Sequence, residues 1–194
     1  MRIVKRILAA ILVAVTVLGC NASALAVGSV APQRCIAYSA DSGSAATYTG
    51  GYVTKEEAKL IALRNAKLKQ KQVKSIKVKK KGSCYEVEFI RKSNKVRYEY
   101  DIYIHSGGVR EEELEYPHAR NTSKSKISKA AAYKIVAKKS GFSLAKVKNG
   151  SIQYKKDDGE WTYVIKFNVS HCKYEYTLLA PSGKLIEVSR TFEF

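Results

Sequence analysis

The chain has 194 residues, with 35 Lys and Arg against 17 Asp and Glu, and 45% of its residues are hydrophobic. This composition is typical of a folded protein of one or two small domains. Four cysteines, three histidines and one tryptophan are too few for a zinc ribbon, a haem-attachment site or a dense disulfide scaffold. The formal net charge of +18 would suggest nucleic acid as the partner of an intracellular protein.

The N-terminal segment argues against an intracellular location. Residues 1–26 contain Arg2, Lys5 and Arg6, then an apolar run over 7–18, then small residues up to Ala26. This order is typical of a secretory signal peptide. The sequence favours cleavage after Ala26, with lipid attachment at Cys20 as the alternative because the residues before it loosely resemble a bacterial lipobox.

Removal of residues 1–26 leaves 32 basic against 17 acidic residues, a net charge of +15. We therefore expect this charge to act outside the cytoplasm, on anionic wall polymers or lipid rather than on nucleic acid. Cys35, Cys84 and Cys172 then remain, and an odd number cannot pair fully within one chain. One disulfide with one unpaired thiol, or three reduced cysteines, both stay open.

Residues 27–51 are rich in Ser, Gly and Ala and indicate a flexible leader. After them a similar pattern occurs twice, at offsets of 74 to 78 residues. Thr54 and Glu57 form a predicted capping box for a helix to about Lys67, and Ser128 caps a second helix that ends before Gly141. Strands follow each helix, near 75–80, 84–90, 96–104 and 109–115, and then near 151–156, 161–169, 172–179 and 184–192.

The pattern predicts an α+β fold of two tandem repeats, in which one helix packs on an antiparallel meander sheet of three to four strands. The first unit spans 52–116 and the second 127–194, with 117–126 as the linker. Short turns rich in Gly, Ser, Asn and Asp support the meanders.

The repeated motifs resemble the PepSY domain. The residues that carry this resemblance are Thr54–Ala58, Tyr85–Phe89, Tyr98–Tyr100 and Ser106–Gly107, and then Ser128, Ala132, Tyr163–Phe167, Tyr174–Tyr176 and Ser182–Leu185. The resemblance implies an extracytoplasmic module that binds and restrains peptidases, in trans here because no peptidase domain is present. The family usually has an Asp on the approach to its last turn, where this chain has Tyr103 and Leu179.

The sequence offers little for catalysis. Asp101, His105 and Ser106 have the residue types of a hydrolase triad, but they fall at a strand end and a turn. His118 and His171 lack zinc-site spacing, and the glutamates of 111–115 fit a charged outer strand better than a calcium site. We expect no catalytic residues, no cofactor and no metal; a hydrolase is the remote alternative.

The sequence favours binding surfaces over catalytic sites. A lysine run after the first helix includes Lys74, Lys77, Lys79, Lys80 and Lys81, which could contact an anionic wall polymer, lipid or protein. The tyrosines expected on outer faces or strand ends are Tyr103, Tyr116 and Tyr154, and tyrosine suits protein recognition. We expect a secreted protein that binds an extracytoplasmic protein such as a peptidase, with polymer or lipid binding as the alternative.

The processing prediction can be checked by the intact mass of the exported protein. Cleavage after Ala26 gives an unmodified chain that begins at Val27. A chain that begins at Cys20 and carries acyl groups would contradict it.

Overall fold

The structure is a computed structural model that describes residues 52–193. Its elements in chain order are α1 (Lys55–Asn65), a 3-10 turn (Gln70–Gln72), β1 (Val73–Lys81), β2 (Cys84–Arg91), β3 (Arg97–Tyr103), β4 (Val109–Glu115), α2 (Lys129–Ser140), α3 (Leu144–Lys148), β5 (Ser151–Asp157), β6 (Glu160–Val169), β7 (Cys172–Leu179) and β8 (Leu185–Phe192). The predicted helices and strands lie where the sequence places them. The predicted signal peptide and leader fall outside the described residues.

The helix starts follow from their capping residues. The Thr54 side chain accepts a hydrogen bond from the Glu57 amide, and the Glu57 carboxylate accepts one from the Thr54 amide at 2.7 Å. Ser128 accepts a hydrogen bond from the Ala131 amide at 3.1 Å, and Gly141 ends α2 in the left-handed conformation. No helix within residues 52–193 is long and apolar enough to cross a membrane.

The predicted fold of two separate helix-on-sheet repeats is wrong. All eight strands form one antiparallel sheet in the order β1-β2-β3-β4-β8-β7-β6-β5. The two meanders are joined because β4 pairs with β8, from Glu111 opposite Thr191 to Glu115 opposite Glu187. This pairing satisfies the backbone groups that two free strand edges would otherwise leave exposed.

A buried polar cluster lies across the β4–β8 joint. The Tyr100 hydroxyl donates a hydrogen bond to Glu112 at 2.7 Å, and the Arg190 guanidinium lies 3.2 Å from the other oxygen of that carboxylate. The side chains of Glu112 and Arg190 are only 7% and 5% exposed. One core runs beneath this joint, because apolar residues of both meanders belong to the same buried cluster.

All of the helices cover the same face of the sheet. Cross-strand partners share a face, and one row of partners connects the two meanders through buried residues: Val87, Tyr100, Glu112, Arg190, Tyr174 and Phe167. Helix α1 packs on β1, β2 and β3, whereas α2 and α3 pack on β6. Ala58 of α1 and Ala132 of α2 are both fully buried in that common core.

Glu112→Leu should lower the free energy of unfolding by about 3–5 kcal/mol, because it removes the buried carboxylate that pairs with Arg190 and accepts a hydrogen bond from Tyr100. Denaturant unfolding measures this loss. The double variant E112L/R190M removes both charges and should recover most of the stability. A single variant as stable as the wild type would contradict the role given to this ion pair.

Candidate functional site

The face of the sheet opposite the helices, here called the open face, has no helix packed on it within residues 52–193. Its side chains are those that alternate with the buried ones. One cross-strand row on this face reads Lys77, Glu88, Glu99, Glu113, Ser189, Glu175 and Lys166. Carboxylates therefore occupy the middle of the row, and lysines lie toward its two ends.

The other rows extend this pattern into an acidic band along the central strands. The band is formed by Glu86, Glu88, Glu99, Asp101, Glu111, Glu113, Glu115, Glu175 and Glu187. Several of these carboxylates lie directly opposite one another, as Glu99 does with Glu88 and with Glu113. Like charges in such positions destabilise a sheet by roughly 0.2–1 kcal/mol per pair, so the band contains repulsive contacts between neighbouring strands.

The repulsion affects the ionisation of the central glutamates. Partial burial raises the pKa of Glu99, and the neighbouring carboxylates Glu86 and Glu113 raise it further. Burial also raises the pKa of Glu113, together with the charges of Glu187 and Glu111. Glu187 shows the same direction of pKa shift for the same reasons.

Near the edges of the sheet the carboxylates are neutralised by cations. Lys81 lies 2.9 Å from Glu86, and Lys79 lies 3.4 Å from Glu88. Burial opposes the ionisation of Glu88, but hydrogen bonds from Arg97 and Lys79 outweigh it and lower its pKa. Across the sheet, Lys166 lies 2.6 Å from Glu175. The margins of the band thus contain ion pairs, whereas at its centre neighbouring carboxylates raise each other's pKa.

The structure divides the predicted lysine site between two faces. Lys74, Lys77, Lys79 and Lys81 extend along the open-face side of β1, while Lys80 lies opposite Tyr85 on the helix side. All five are exposed. Since Lys79 and Lys81 already pair with glutamates of β2, the run is less available to an outside anion than the sequence suggests.

The structure places the three tyrosines of the predicted contact surface on different faces of the sheet. Tyr116 packs against the core, and burial raises its pKa to about 12. Tyr154 also packs on the helix side, where its ring stacks on Trp161 at a centroid distance of 4.8 Å. Of the three tyrosines only Tyr103 belongs to the open face, as the partner of Cys84, and it is half-buried at the end of β3.

The residue types of a hydrolase triad are not assembled. Asp101 is a buried residue that forms an ion pair with Arg110. The ring of His105 contacts Tyr52, with the centroids 4.6 Å apart. Among residues 52–193, no three His, Cys, Asp or Glu side chains come together as a metal site.

His118 holds the linker to β6. Its Nε2 lies 2.9 Å from a Glu160 oxygen, and its Nδ1 lies 3.2 Å from the Tyr116 carbonyl. The Asn121 amide donates to the other Glu160 oxygen at 2.5 Å. These bonds from His118 and from Asn121 lower the pKa of Glu160. The arrangement positions the linker rather than a substrate.

The cysteines of the described region differ from each other. Cys84 is a buried free thiol, whereas Cys172 is disulfide-bonded. Cys84 and Cys172 are therefore not bonded to each other. The alternative in which all three cysteines are reduced is wrong. Cys20 and Cys35 lie outside the described residues.

Two features were missed by the sequence analysis. The acidic strand β4 was read as a charged outer strand, but it lies at the centre of the sheet between β3 and β8. The interval between Glu115 and Asp157 also contains eleven Lys and Arg and no acidic residue. Counting acids as well as cations along the whole chain would have revealed this second basic segment.

No known family model matches the chain, and no curated protein matches it. Two solved structures overlap with it. A candidate lipoprotein from Clostridium difficile 630 has 16% identity and a TM-score of 0.28, over 72% of this chain and 94% of that one. The Bacillus megaterium YpeB C-terminal domain has 13% identity and a TM-score of 0.29, over 73% of this chain and 99% of that one. Overlaps at these TM-scores do not establish a shared fold.

Glu113→Gln should stabilise the protein at neutral pH by roughly 0.2–1 kcal/mol, because it removes one charge from the repulsive band. The folded-state pKa of Glu113 is raised above its ordinary 4.5, so the wild type loses stability as the pH rises through that folded value. Below pH 4.5 the two proteins should therefore unfold at similar temperatures.

Thermal unfolding at acidic and neutral pH measures this difference. Glu56→Gln is the matched control, since Glu56 is exposed on α1 and pairs with Lys59. It should give no gain at neutral pH. An equal gain in both variants would contradict the assignment to the open face.

Proposed function

We propose that the chain is a secreted, PepSY-like binding protein without enzymatic activity, and that it binds an extracytoplasmic peptidase or another envelope protein in trans. The predicted signal peptide and the resemblance of the motifs support the location and the class. Restraint of a peptidase would follow from blocking access to it. The ion pair of Asp101 with Arg110 and the ring contact of His105 with Tyr52 support a role without catalysis.

The observation that carries the proposal is the size of the open face, which no helix within residues 52–193 covers. Eight strands at about 4.8 Å spacing make a sheet about 34 Å wide, and strands of seven to ten residues are about 25 Å long. The open face therefore spans about 850 Å², and within it Thr162, Val164 and Thr177 are buried. A standard protein interface buries about 800 Å² on each partner.

The charges of the open face indicate what the partner presents to it. The central glutamates Glu99 and Glu113 repel each other and are partly desolvated. A cationic group of the partner placed over them would relieve that repulsion, and desolvated charge pairs contribute to both specificity and association rate. Lysines toward both edges would meet acidic groups of the same partner.

Polymer or lipid binding through the β1 lysines has weaker support. Lys79 lies between Glu86 and Glu88, 3.6 Å from one carboxylate and 3.4 Å from the other. A polyanion would have to compete with these carboxylates for the lysine. The same carboxylates would repel it.

The test is affinity capture from the envelope and secreted fractions of the source organism, with the chain from Val27 onward as bait. We expect recovery of a peptidase or another envelope protein that survives high-salt washing, identified by mass spectrometry. A captured peptidase should lose activity when the purified chain is added. Recovery of wall polymer or lipid alone would overturn the proposal.

Glu113→Lys should weaken capture about tenfold or more, because it places a cation where the partner's cation is expected. Glu56→Lys makes the same charge change on α1, away from the open face, and should leave capture unchanged. Binding isotherms of both variants with the recovered partner measure the difference. Equal loss in the two variants would show that only net charge matters.

A further inference from the structure

The positive charge of this protein is not spread evenly over its surface. The open face carries eleven carboxylates, Glu86, Glu88, Glu99, Asp101, Glu111, Glu113, Glu115, Asp157, Glu160, Glu175 and Glu187, and nine cations, Lys74, Lys77, Lys79, Lys81, Arg97, Arg110, Lys155, Lys166 and Lys173. Eleven against nine is close to neutral. The surplus of positive charge within residues 52–193 therefore lies on the helix side of the sheet and in the loops around it.

Part of this surplus lies on α2, which has four lysines and no acidic residue. Helices α1 and α2 occupy corresponding positions in their meanders, with caps at Thr54 and Ser128. Helix α1 has Glu56 and Glu57 in its first turn, where acids favour the helix dipole by about 0.3–1 kcal/mol each at low salt. Helix α2 has no acid in that turn. It has also lost the capping-box acid, which Ala131 replaces.

The outward side of α2 carries lysines. Lys134 and Lys138 lie one turn apart and are exposed, on the side away from the buried Ala132 and Val136. Like charges at this spacing destabilise a helix by roughly 0.2–0.5 kcal/mol. Lys139 follows directly, and none of the three lysines forms an ion pair within residues 52–193.

Part of this charge has a structural explanation. Lys138 and Lys139 lie in the last turn of α2, where cations interact favourably with the C-terminal end of the helix dipole. Lys134 lies in the middle of the helix, where the helix dipole does not stabilise a cation. The helix dipole also does not explain why the first turn of α2 has no acidic residue. The positive charge of α2 lowers the stability of the helix itself. This cost indicates that an anionic partner neutralises the charge when it binds.

We propose that three lysines of α2, the exposed Lys134 and Lys138 and the half-buried Lys139, form a binding site for a linear phosphodiester polymer. Closely spaced lysines gain affinity for such a polymer by releasing its condensed counterions. A single small anion would offer no such gain. The site lies on the opposite side of the sheet from the surface proposed for a protein partner, so the two proposals are independent.

The residues on the helix side of the sheet also indicate that the α2 lysines do not bind a membrane. A helix that binds a bilayer surface needs an apolar face to insert, but the apolar residues of α2 are buried against the sheet. Within residues 52–193 the exposed large hydrophobic residues are Tyr52 and Leu60, and neither belongs to α2 or α3. The lysines therefore lack the apolar anchor that would accompany lipid binding.

The test compares two triple variants of the chain from Val27 onward in binding to poly(glycerol phosphate). K134Q/K138Q/K139Q should weaken binding about tenfold or more at low salt. It should also reduce the slope of log affinity against log salt by about 2, at roughly 0.7 for each lysine lost. Glutamine preserves helix propensity, and unchanged thermal unfolding checks that the fold is intact.

The matched control is K74Q/K77Q/K80Q, which removes the same charge from exposed β1 lysines that form no ion pair within the described part of the chain. It should change the affinity less than threefold. Equal losses in both variants would overturn the site, because net charge alone would then explain the binding. Binding to vesicles of phosphatidylglycerol and phosphatidylcholine without binding to the polymer would also overturn it.

Discussion

The pairing of β4 with β8 is the constraint on which the rest of this structure depends. Each meander by itself would end in an exposed edge strand over a small core. Joining them turns two edges into the centre of an eight-stranded sheet. The joint is held by backbone hydrogen bonds and by the buried contacts of Glu112 with Tyr100 and Arg190.

The buried ion pair also makes the joint selective. In the register of the sheet Glu112 faces Arg190, while the next pair on the same face is Leu114 with Val188. A second copy of β4 in place of β8 would bury Glu112 without its arginine. Buried charges contribute to such selectivity more reliably than to stability, because their desolvation offsets much of their attraction.

The single sheet gives the molecule two surfaces of different chemistry. The open face is close to neutral overall, with repulsion at its acidic centre and ion pairs toward its edges. The helix side carries the surplus of lysine, most clearly at Lys134 and Lys138 of α2. A protein partner and a polyanion could bind to opposite sides of the sheet without competing.

Much of the local structure could be predicted because it depends on residues close in sequence. Thr54 with Glu57 determines where α1 begins, and Gly141 determines where α2 ends. The alternation of Tyr85, Val87 and Phe89 with glutamates identified a strand and its buried face. These signals act over a few residues, so one sequence contains all the information that they need.

The sequence alone thus determined α1, α2, the strands, the hairpins and the excess of positive charge, whereas α3 was not predicted. Only the tertiary structure decided that the two meanders share one sheet, since strand pairing across the joint relates residues far apart in the chain. It also decided that Glu112 is buried while Glu111 and Glu113 lie on the open face. Adjacent residues of a strand point to opposite sides, and their surroundings depend on what the fold places on each side.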